Sequence, residues 1–478
     1  ADWRLWWNVT RAVSWINDAN TNNLAVDGHP FELPQFNDSL PYCVFSEDNE
    51  TFKEWKKVQN KYGIVELDLN NMYCITREFK TPEGKEIHNV EWGECLFRNF
   101  KNPITAMWIM LEEVPVINKW QAPNSLKELI DSIEEHSKGL KIGLMDIIKQ
   151  IVKENSRSLR DGKRHLLLLG FPIPEKIGSE NSIIHWQAIK LPVLSHGDKK
   201  GFVNGFRDPE DFLWRKDKNH ILTPEIDLDW LKSQNWSIQK ITNRGQLPKN
   251  IISKKTVIIG AGTIGASFAE LLVRAGVNKI SIIDVDKLEI GNLSRHPLKL
   301  KQIEHKKSEE MAFHLNQINP QVQAEFIDKK FNYSKEFMEK MNEYDLIIDC
   351  TSENTVLYDL EKFAFKKDKI FVSISIGFGA ELLYLSLQKG KQFKSYEFLE
   401  KITPWMERDM DKHPEYDLPR DDLKCWNPTF PARYDDILMA SSTALKVIEK
   451  FIVNNKEESN VVYKKYSANE IIGYLKVE

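Results

Sequence analysis

The 478-residue chain lacks several features that mark common functional classes. Its Lys and Arg residues number 66 against 70 Asp and Glu, so no overall positive charge is present to attract nucleic acid, and we expect no such partner. No apolar stretch approaches the ~18–20 residues that cross a bilayer, so we predict a cytoplasmic protein without a membrane partner. The cysteines form no CxxC pair and are widely scattered, which argues against a zinc knuckle and a disulfide framework; they are Cys43, Cys74, Cys95, Cys350 and Cys425.

Length and composition indicate a folded protein with several domains. Hydrophobic residues make up 41% and charged residues 28%, a balance typical of globular chains. Domains usually contain ~100–200 residues each, so one core cannot accommodate this length. Changes in composition along the chain predict boundaries that divide it into 1–40, 41–194, 195–254 and 255–478.

The first three segments carry structural patterns without a nucleotide motif. Trp6, Val9, Val13 and Ile16 recur at helical spacing, which predicts a Trp-rich helix near the N-terminus. Alternating apolar residues predict strands at 64–69 and 73–79, and helical periodicity over 125–155 predicts two helices divided near Gly139. A buried strand is expected at 165–170, ended by the prolines of 171–174. These elements predict an α/β domain, followed by a polar linker or excursion at 195–254.

The clearest local motif begins at residue 256. A β-branched run, 256–259, leads directly into a turn that contains Gly260, Gly262 and Gly265 and then into a predicted helix. Glycines in such a turn permit a tight bend and close approach of backbone N–H groups to phosphate. The next predicted strand ends at Asp284, about 20 residues further on, where a carboxylate can bind a ribose hydroxyl. By spacing alone, a nicotinamide dehydrogenase is one alternative.

The sequence beyond Asp284 favours a different family. The acidic strand end is followed by Asn292-Leu293-Ser294-Arg295, then by Lys307, by Asn319-Pro320, and by the Asp-Cys-Thr element that begins at Asp349. In this order, these elements resemble the signature of the E1/ThiF/MoeB adenylating superfamily. The resemblance implies a Rossmann-like α/β adenylation domain with a mainly parallel sheet over 255–478, preceded by the second α/β domain.

The resemblance also implies a chemistry and a set of site residues. Attack of a carboxylate on the α-phosphate of ATP increases negative charge there, and fixed cations stabilise that charge. ATP and Mg²⁺ are the expected cofactors. The implied binding residues are Gly260, Gly262 and Gly265 in the phosphate turn, Asp284 for the ribose, Asn292 and Arg295 for the phosphates, Lys307 for the transferring region and Asp349 for Mg²⁺. Lys306 is the alternative to Lys307, and Arg244 is a candidate arginine supplied across a homodimer.

A cysteine would be needed if the activated carboxylate passes to a thiol. Cys425 lies in a proline-interrupted loop before a predicted helix, and Lys424 beside it would favour the reactive thiolate. We therefore predict Cys425 as the nucleophile, with an ordinary buried loop cysteine as the alternative. Cys350 matches a cysteine that is usually structural in the family. Cys95 is a weaker candidate, because 88–96 superficially resembles the histidine and Gly-x-Cys-Leu pattern of E2 enzymes.

Taken together, the chain resembles the E1-like half of the E1/E2 fusion proteins of bacterial type II CBASS antiphage operons. This resemblance implies that 1–40 are trailing helices of an E2-like domain and that a cGAS-like nucleotidyltransferase is activated at its free C-terminus. An inactive adenylation-like fold is one interpretation of 41–194. Two alternatives stay open for the function: activation of a bacterial ubiquitin-like or sulfur-carrier protein, and a non-catalytic platform that binds ATP.

Overall fold

The computed structural model describes residues 2–21, 23–36, 38–93, 96, 103–118, 121–136, 142–196, 209–414, 431–468 and 471–478. The chain divides into two compact units. Unit 1 contains Ala1–Glu91 and Phe97–Lys240, and unit 2 contains Trp92–Leu96 and Ile241–Glu478. In the described ranges no helix is both long and apolar enough to cross a membrane.

Unit 1 is built on an eight-stranded mixed sheet in the order β1-β8-β7-β6-β5-β2-β3-β4. A further pairing of β1 with β3 closes the sheet into a ring and leaves β4 outside it. The strands are β1 (Asp38–Phe45), β2 (Tyr62–Leu69), β3 (Tyr73–Lys80), β4 (Glu86–Asn89), β5 (Ile104–Met110), β6 (Leu166–Pro174), β7 (Asn181–Lys190) and β8 (Trp230–Asn235). The helices are α1 (Asp2–Asn20), α2 (Asn49–Trp55), α3 (Leu126–His136), α4 (Leu144–Glu154), α5 (Ser156–Leu159) and α6 (Pro209–Lys216), with a π-helix at Asp217–Ile221 and a short α7 (Ile238–Ile241) at the unit boundary.

The strands and the helix pair predicted from the sequence of unit 1 are present. The predicted strands 64–69 and 73–79 correspond to β2 and β3, which pair antiparallel. The predicted helices correspond to α3 and α4, and the apolar face of α4 is buried through Leu144, Ile147, Ile148 and Ile151. Periodic apolar residues therefore identified the elements whose stability comes from burying one face.

Two details of unit 1 differ from the prediction. The strand expected to end at Gly170 continues to Pro174, with Pro172 paired to Ile184 of β7. Beyond Gly170 the strand β6 no longer pairs with β5, and proline is tolerated at such an edge. The second difference is that the range expected as a linker or excursion contains β8, which pairs with β1 and β7 in the sheet. The interpretation of 41–194 as an inactive adenylation-like fold stays a prediction, although its strand order differs from that of unit 2.

The Trp-rich helix α1 leaves most of its large apolar side chains in solvent. Trp3, Trp6 and Trp15 are each more than 60% exposed, and Val9 and Val13 are more than half exposed. The predicted helical face is therefore present but has little packing of its own. Its assignment to an E2-like domain stays a prediction.

Unit 2 contains a second eight-stranded sheet, in the order β11-β10-β9-β12-β13-β14-β15-β16. Its strands are β9 (Thr256–Ile259), β10 (Lys279–Ile283), β11 (Gln323–Ile327), β12 (Leu346–Asp349), β13 (Lys369–Ile376), β14 (Leu382–Gly390), β15 (Glu458–Ala468) and β16 (Ile471–Lys476). Its helices are α8 (Lys249–Ile252), α9 (Thr263–Arg274), α10 (Lys307–Leu315), α11 (Lys335–Met341), α12 (Asn354–Lys362), α13 (Ser395–Lys412) and α14 (Tyr434–Val453).

The topology of this sheet determines where a ligand can bind. Pairing is parallel from β11 to β13 and antiparallel from β13 to β16. From the central β9 the chain proceeds to β10 and β11 on one side, and then returns to β12 and β13 on the other. Ligands of open α/β sheets bind at such a reversal, outside the carboxyl ends of the strands. The expected Rossmann-like α/β fold with a mainly parallel sheet is thus present, since four of the seven strand pairings are parallel.

Candidate nucleotide-binding site

The glycine turn between β9 and α9 needs glycine at two of its three predicted positions. Gly260 has a φ of +93°, and a Cβ atom there would lie 3.0 Å from Cγ2 of Thr351. A Cβ atom on Gly265 would lie 1.9 Å from the carbonyl oxygen of Gly260, which the backbone cannot accommodate. Around Gly262, by contrast, space is open. The turn therefore packs closely against β12 and leaves its middle accessible.

A cavity of about 200 Å³ lies at the carboxyl ends of the parallel strands. It is bounded by the glycine turn, the end of β10, the residues after β11 and the residues after β12. Its polar and glycine lining includes Gly260, Gly262, Asp284, Asp286, Lys329, Lys330, Thr351 and Glu353. The structure thus brings together the turn and the acidic strand end that the sequence predicted.

Asp284 is held in place by the backbone around it. Its Oδ2 atom accepts a hydrogen bond from the Ala261 N–H at 2.6 Å, and its Oδ1 atom accepts one from the Asp286 N–H at 2.7 Å. Burial raises the pKa of the Asp284 carboxyl, while these two bonds and the charge of Lys307 act in the opposite direction. The carboxylate is therefore fixed at the edge of the cavity by the same turn that is predicted to bind phosphate.

The two lysines at the start of α10 have different surroundings. The Nζ atom of Lys307 lies 3.5 Å from Oδ2 of Asp286, and its side chain is only 12% exposed. The Nζ atom of Lys306 lies 3.1 Å from Oδ1 of Asp328 and donates to the carbonyl oxygen of Val285. Lys307 is thus the lysine whose charge acts on Asp284, which supports the prediction that it faces the nucleotide.

Asn292 and Arg295 follow β10 on a compact turn. Asn292 ends a 3₁₀-helix (Ile290–Asn292), and its Oδ1 atom accepts a hydrogen bond from the Glu289 N–H. The Arg295 N–H donates to the Asn292 carbonyl oxygen at 3.0 Å, and the Arg295 side chain is half-buried. Neither residue is part of the cavity lining. Their predicted contacts with phosphate stay a prediction.

Asp349 is buried at the end of β12, and protein groups bind both of its carboxylate oxygens. Oδ1 accepts hydrogen bonds from the N–H and the hydroxyl of Thr351, and Oδ2 accepts one from the Ser373 hydroxyl at 2.9 Å. Burial raises the pKa of this carboxyl. Among the described residues, no group of three or more His, Cys, Asp or Glu could hold a metal ion. Mg²⁺ commonly uses one or two carboxylates together with substrate phosphates. Asp349 is not part of the cavity lining, and its binding of Mg²⁺ stays a prediction.

The structure also places residues at the site that the motif did not single out. His296 directly follows Arg295, is buried, and contacts the carbonyl oxygen of Ala261 in the glycine turn. Lys329 and Lys330 follow β11 and line the cavity. The sequence signal that could have identified Lys329 and Lys330 is their position just after β11, because the carboxyl ends of the parallel strands meet at one edge of the sheet.

The cysteine predictions are tested only in part. Cys350 is buried, and burial with the neighbouring Asp349 charge raises its pKa well above the usual value, in keeping with a structural cysteine. Cys425 and Cys95 lie outside the described residues. Arg244, the candidate for a site across a homodimer, is exposed on a turn.

Two family models together match residues 22–413. A model described as the Cap2 central linker domain matches residues 22–236, and a model of the ThiF family matches residues 233–413. The first of these covers the ring of strands in unit 1, and the second covers the glycine turn and the cavity.

Among individual relatives, one spans nearly the full chain. The ATP-dependent ubiquitin transferase-like protein Cap2 of Enterobacter hormaechei subsp. hoffmannii (strain UCI 50) is 34% identical over 456 residues, which cover 93% of this chain and 73% of that protein. The adenylyltransferase and sulfurtransferase UBA4 of Lodderomyces elongisporus is 32% identical over 132 residues, covering 26% of this chain and 28% of that protein. The molybdopterin-synthase adenylyltransferase of Haemophilus influenzae is 29% identical over 111 residues, covering 23% of this chain and 45% of that protein.

A solved structure of E. coli MccB with AMPCPP and SeMet MccA is also similar. It covers 48% of this chain and 64% of that chain at 18% identity, with a TM-score of 0.34.

Proposed function

The chain belongs to the Cap2 family and is an ATP-dependent adenylating enzyme of the E1/ThiF type, and from this we propose that it activates the C-terminal carboxylate of a partner protein and passes it to a thiol. The observation that carries the proposal is the meeting of the glycine turn and Asp284 at one cavity, with the charge of Lys307 acting on the Asp284 carboxylate. These groups provide a carboxylate that can accept from a ribose hydroxyl, open space around Gly262 and a nearby positive charge.

The first proposed step is adenylation. A carboxylate oxygen of the partner attacks the α-phosphorus of ATP, the bond to the β-phosphate oxygen breaks, and pyrophosphate leaves with the bonding electrons. Negative charge increases on the α-phosphate oxygens in the transition state, and preorganised cations stabilise it. Lys307 is the first proposed cation, supported by the effect of its charge on Asp284, and Arg295 is the second. Asp284 would hold the ribose, and Asn292 would bind phosphate.

Mg²⁺ would neutralise phosphate charge when bound with the nucleotide. We propose that the Asp349 carboxylate holds it. The hydroxyls of Thr351 and Ser373 fix the orientation of this carboxylate.

The second proposed step uses Cys425. Its thiolate would attack the carbonyl carbon of the acyl-adenylate, forming a thioester and releasing AMP. Lys424 beside it would lower the thiol pKa. Cys350 is buried and its pKa is raised, which disfavours this cysteine as the nucleophile. The acyl group would then pass to the cysteine of an E2-type domain.

The proposed partner is a cGAS-like nucleotidyltransferase, conjugated in antiphage defence. Membership of the Cap2 family supports this choice. A second candidate is a bacterial ubiquitin-like or sulfur-carrier protein, which is favoured by the similarity of the ThiF-type region to UBA4 and to molybdopterin-synthase adenylyltransferase. We further propose a homodimer, in which Arg244 of one chain would reach the site of the other.

Isotope exchange and gel electrophoresis separate these proposals. We expect the protein to exchange pyrophosphate into ATP only with a partner whose C-terminal carboxylate is free, and to form a covalent adduct that thiol reagents cleave. Cys425→Ala should abolish the adduct and retain exchange, whereas Cys350→Ala is the matched control that should retain both. Exchange without any adduct would restrict the function to adenylation. No exchange with any candidate partner would favour the non-catalytic ATP-binding platform.

A further inference from the structure

His296 is buried at the nucleotide site and makes two specific backbone contacts. Its side chain packs between the segment that carries Arg295 and the glycine turn, and the residue is 6% exposed. The Nε2 atom lies 2.9 Å from the carbonyl oxygen of Ala261, and the Nδ1 atom lies 3.2 Å from the backbone nitrogen of Leu298.

These contacts determine the protonation of the ring. The Leu298 N–H can only donate, so Nδ1 must be the unprotonated acceptor. The proton of the neutral ring is therefore on Nε2, which donates it to the Ala261 carbonyl oxygen. Burial lowers the pKa of His296 to about 4, so the ring stays neutral near pH 7. His296 is thus a fixed, uncharged donor aimed at the middle of the glycine turn.

Ala261 is consequently held on both sides. Its N–H donates to Asp284, and its carbonyl oxygen accepts from His296. A trans peptide is planar, with the C=O and the following N–H pointing in opposite directions. Fixing the Ala261 carbonyl therefore directs the N–H of Gly262 away from His296.

The Gly262 N–H is available for a ligand. Gly262 lines the cavity, and an added Cβ atom there would meet no neighbour within 4 Å. Within the described part of the chain, its N–H donates to no protein acceptor. It is also the N-cap residue of α9, at the end of the helix where the helix dipole favours an anion.

From this geometry we infer that His296 is a positioning residue, which orients the Ala261–Gly262 peptide so that the Gly262 N–H donates to a phosphate oxygen of the bound nucleotide. The inference rests on the proposed binding of ATP in this cavity. It adds to the implied set of site residues a side chain that touches no substrate and acts through the backbone.

Two substitutions test whether residue 296 needs a hydrogen-bond donor at the position of Nε2 or only a polar side chain. In His296→Gln the amide nitrogen can occupy the place of Nε2 and donate to Ala261, whereas the shorter His296→Asn cannot reach it. We expect His296→Asn to weaken ATP binding roughly tenfold, because one hydrogen bond to phosphate is lost, and His296→Gln to restore most of it. Affinity for adenosine, which has no phosphate, should change less than about twofold. Calorimetric titration of the full chain with ATP and with adenosine gives these values.

Gly262→Pro provides a second test that does not depend on the histidine variants. The φ of Gly262 is −68°, which proline adopts, and proline removes the N–H itself. We expect the same selective loss of ATP affinity. Adding His296→Asn should cause no further loss, because both substitutions remove the same hydrogen bond, the one from the Gly262 N–H to phosphate.

The inference is overturned if His296→Asn binds ATP as tightly as the wild type, if adenosine binding falls by the same factor, or if the losses of the two variants add. Binding is measured without turnover, so the outcome is distinct from that of the proposed function. A wild-type chain that binds ATP but exchanges no pyrophosphate would overturn the adenylation proposal, while the comparison of ATP with adenosine would still decide the role of His296.

Discussion

Two adjacent lysines near this site, Lys306 and Lys307, have different ionic partners. Lys306 and Lys307 are adjacent in the chain, yet the first pairs with Asp328 and the second lies beside Asp286. The sequence left the choice between them open. The structure supports Lys307, because its charge acts on the Asp284 carboxylate at the cavity, whereas Lys306 is the N-cap residue that precedes α10.

Substituting each lysine tests this choice. Lys307→Ala should lower the rate of partner-dependent pyrophosphate exchange roughly 100-fold, since a cation that stabilises transition-state charge is lost. Lys306→Ala is the matched control and should lower the rate less than about threefold, because it removes an exposed ion pair. A larger loss of exchange rate in Lys306→Ala than in Lys307→Ala would show that Lys306 is the lysine that faces the nucleotide.

The turn from β9 to α9 shows how one element imposes residue types. Gly265 lies inside α9, where alanine would ordinarily favour the helix. The carbonyl oxygen of Gly260 nevertheless occupies the space a side chain would need. The close packing of helix on strand therefore outweighs helix propensity at this position.

Alanine substitutions in the turn should separate these effects. Gly265→Ala should lower the free energy of unfolding by roughly 2–4 kcal/mol, because the turn or helix must shift to relieve the clash. Gly262→Ala has open space and an ordinary φ, so the lower N-cap preference of alanine is offset by the reduced entropy of the unfolded chain, and its cost should stay within about 1 kcal/mol. Urea denaturation monitored by circular dichroism measures both values. Equal costs at the two positions would contradict the packing explanation.

Over the whole molecule, the two units depend on pH in opposite ways. In unit 1, Glu47 is buried and accepts hydrogen bonds from the indoles of Trp55 and Trp186, and burial raises its pKa from 4.5 to about 7. In unit 2, Glu270 of α9 accepts from His314 of α10 and from Arg274, and these contacts lower its pKa from 4.5 to about 2.

The sign of each effect follows from proton linkage. Between pH 4.5 and 7 native Glu47 keeps a proton that the unfolded chain releases, so unit 1 loses stability as pH rises through this range. Glu270 is ionised in the native state at pH values where the unfolded chain takes up a proton, so unit 2 loses stability as pH falls from 4.5 towards 2.

Thermal unfolding between pH 3 and 8 should show both trends. Glu47→Gln should flatten the fall above pH 5, a change of roughly 1–3 kcal/mol, because the titrating carboxyl is removed. Glu270→Gln is the control that should leave this range unchanged and flatten the acid side by about 1 kcal/mol or less, given its partial exposure to solvent. An unchanged slope above pH 5 in Glu47→Gln would contradict the assignment.

Features that depend on the local order of residues were predictable from the sequence. A β-branched run followed by the glycines at 260, 262 and 265 specifies a strand, a turn and a helix, because each requirement concerns residues close in the chain. The order of Asp284, Arg295, Lys307 and Asp349 identified the adenylating family for the same reason. The helical spacing of apolar residues likewise predicted α3 and α4.

Features that depend on contacts between residues distant in the chain became known from the three-dimensional fold. The pairing of β1 with β3 and β8, which closes the ring of unit 1, could not be predicted because no local pattern specifies a partner strand. His296 has no motif of its own, and its importance arises from a contact with Ala261, 35 positions away. The chain's local chemistry thus selected the type of site, whereas long-range packing determined which side chains orient it.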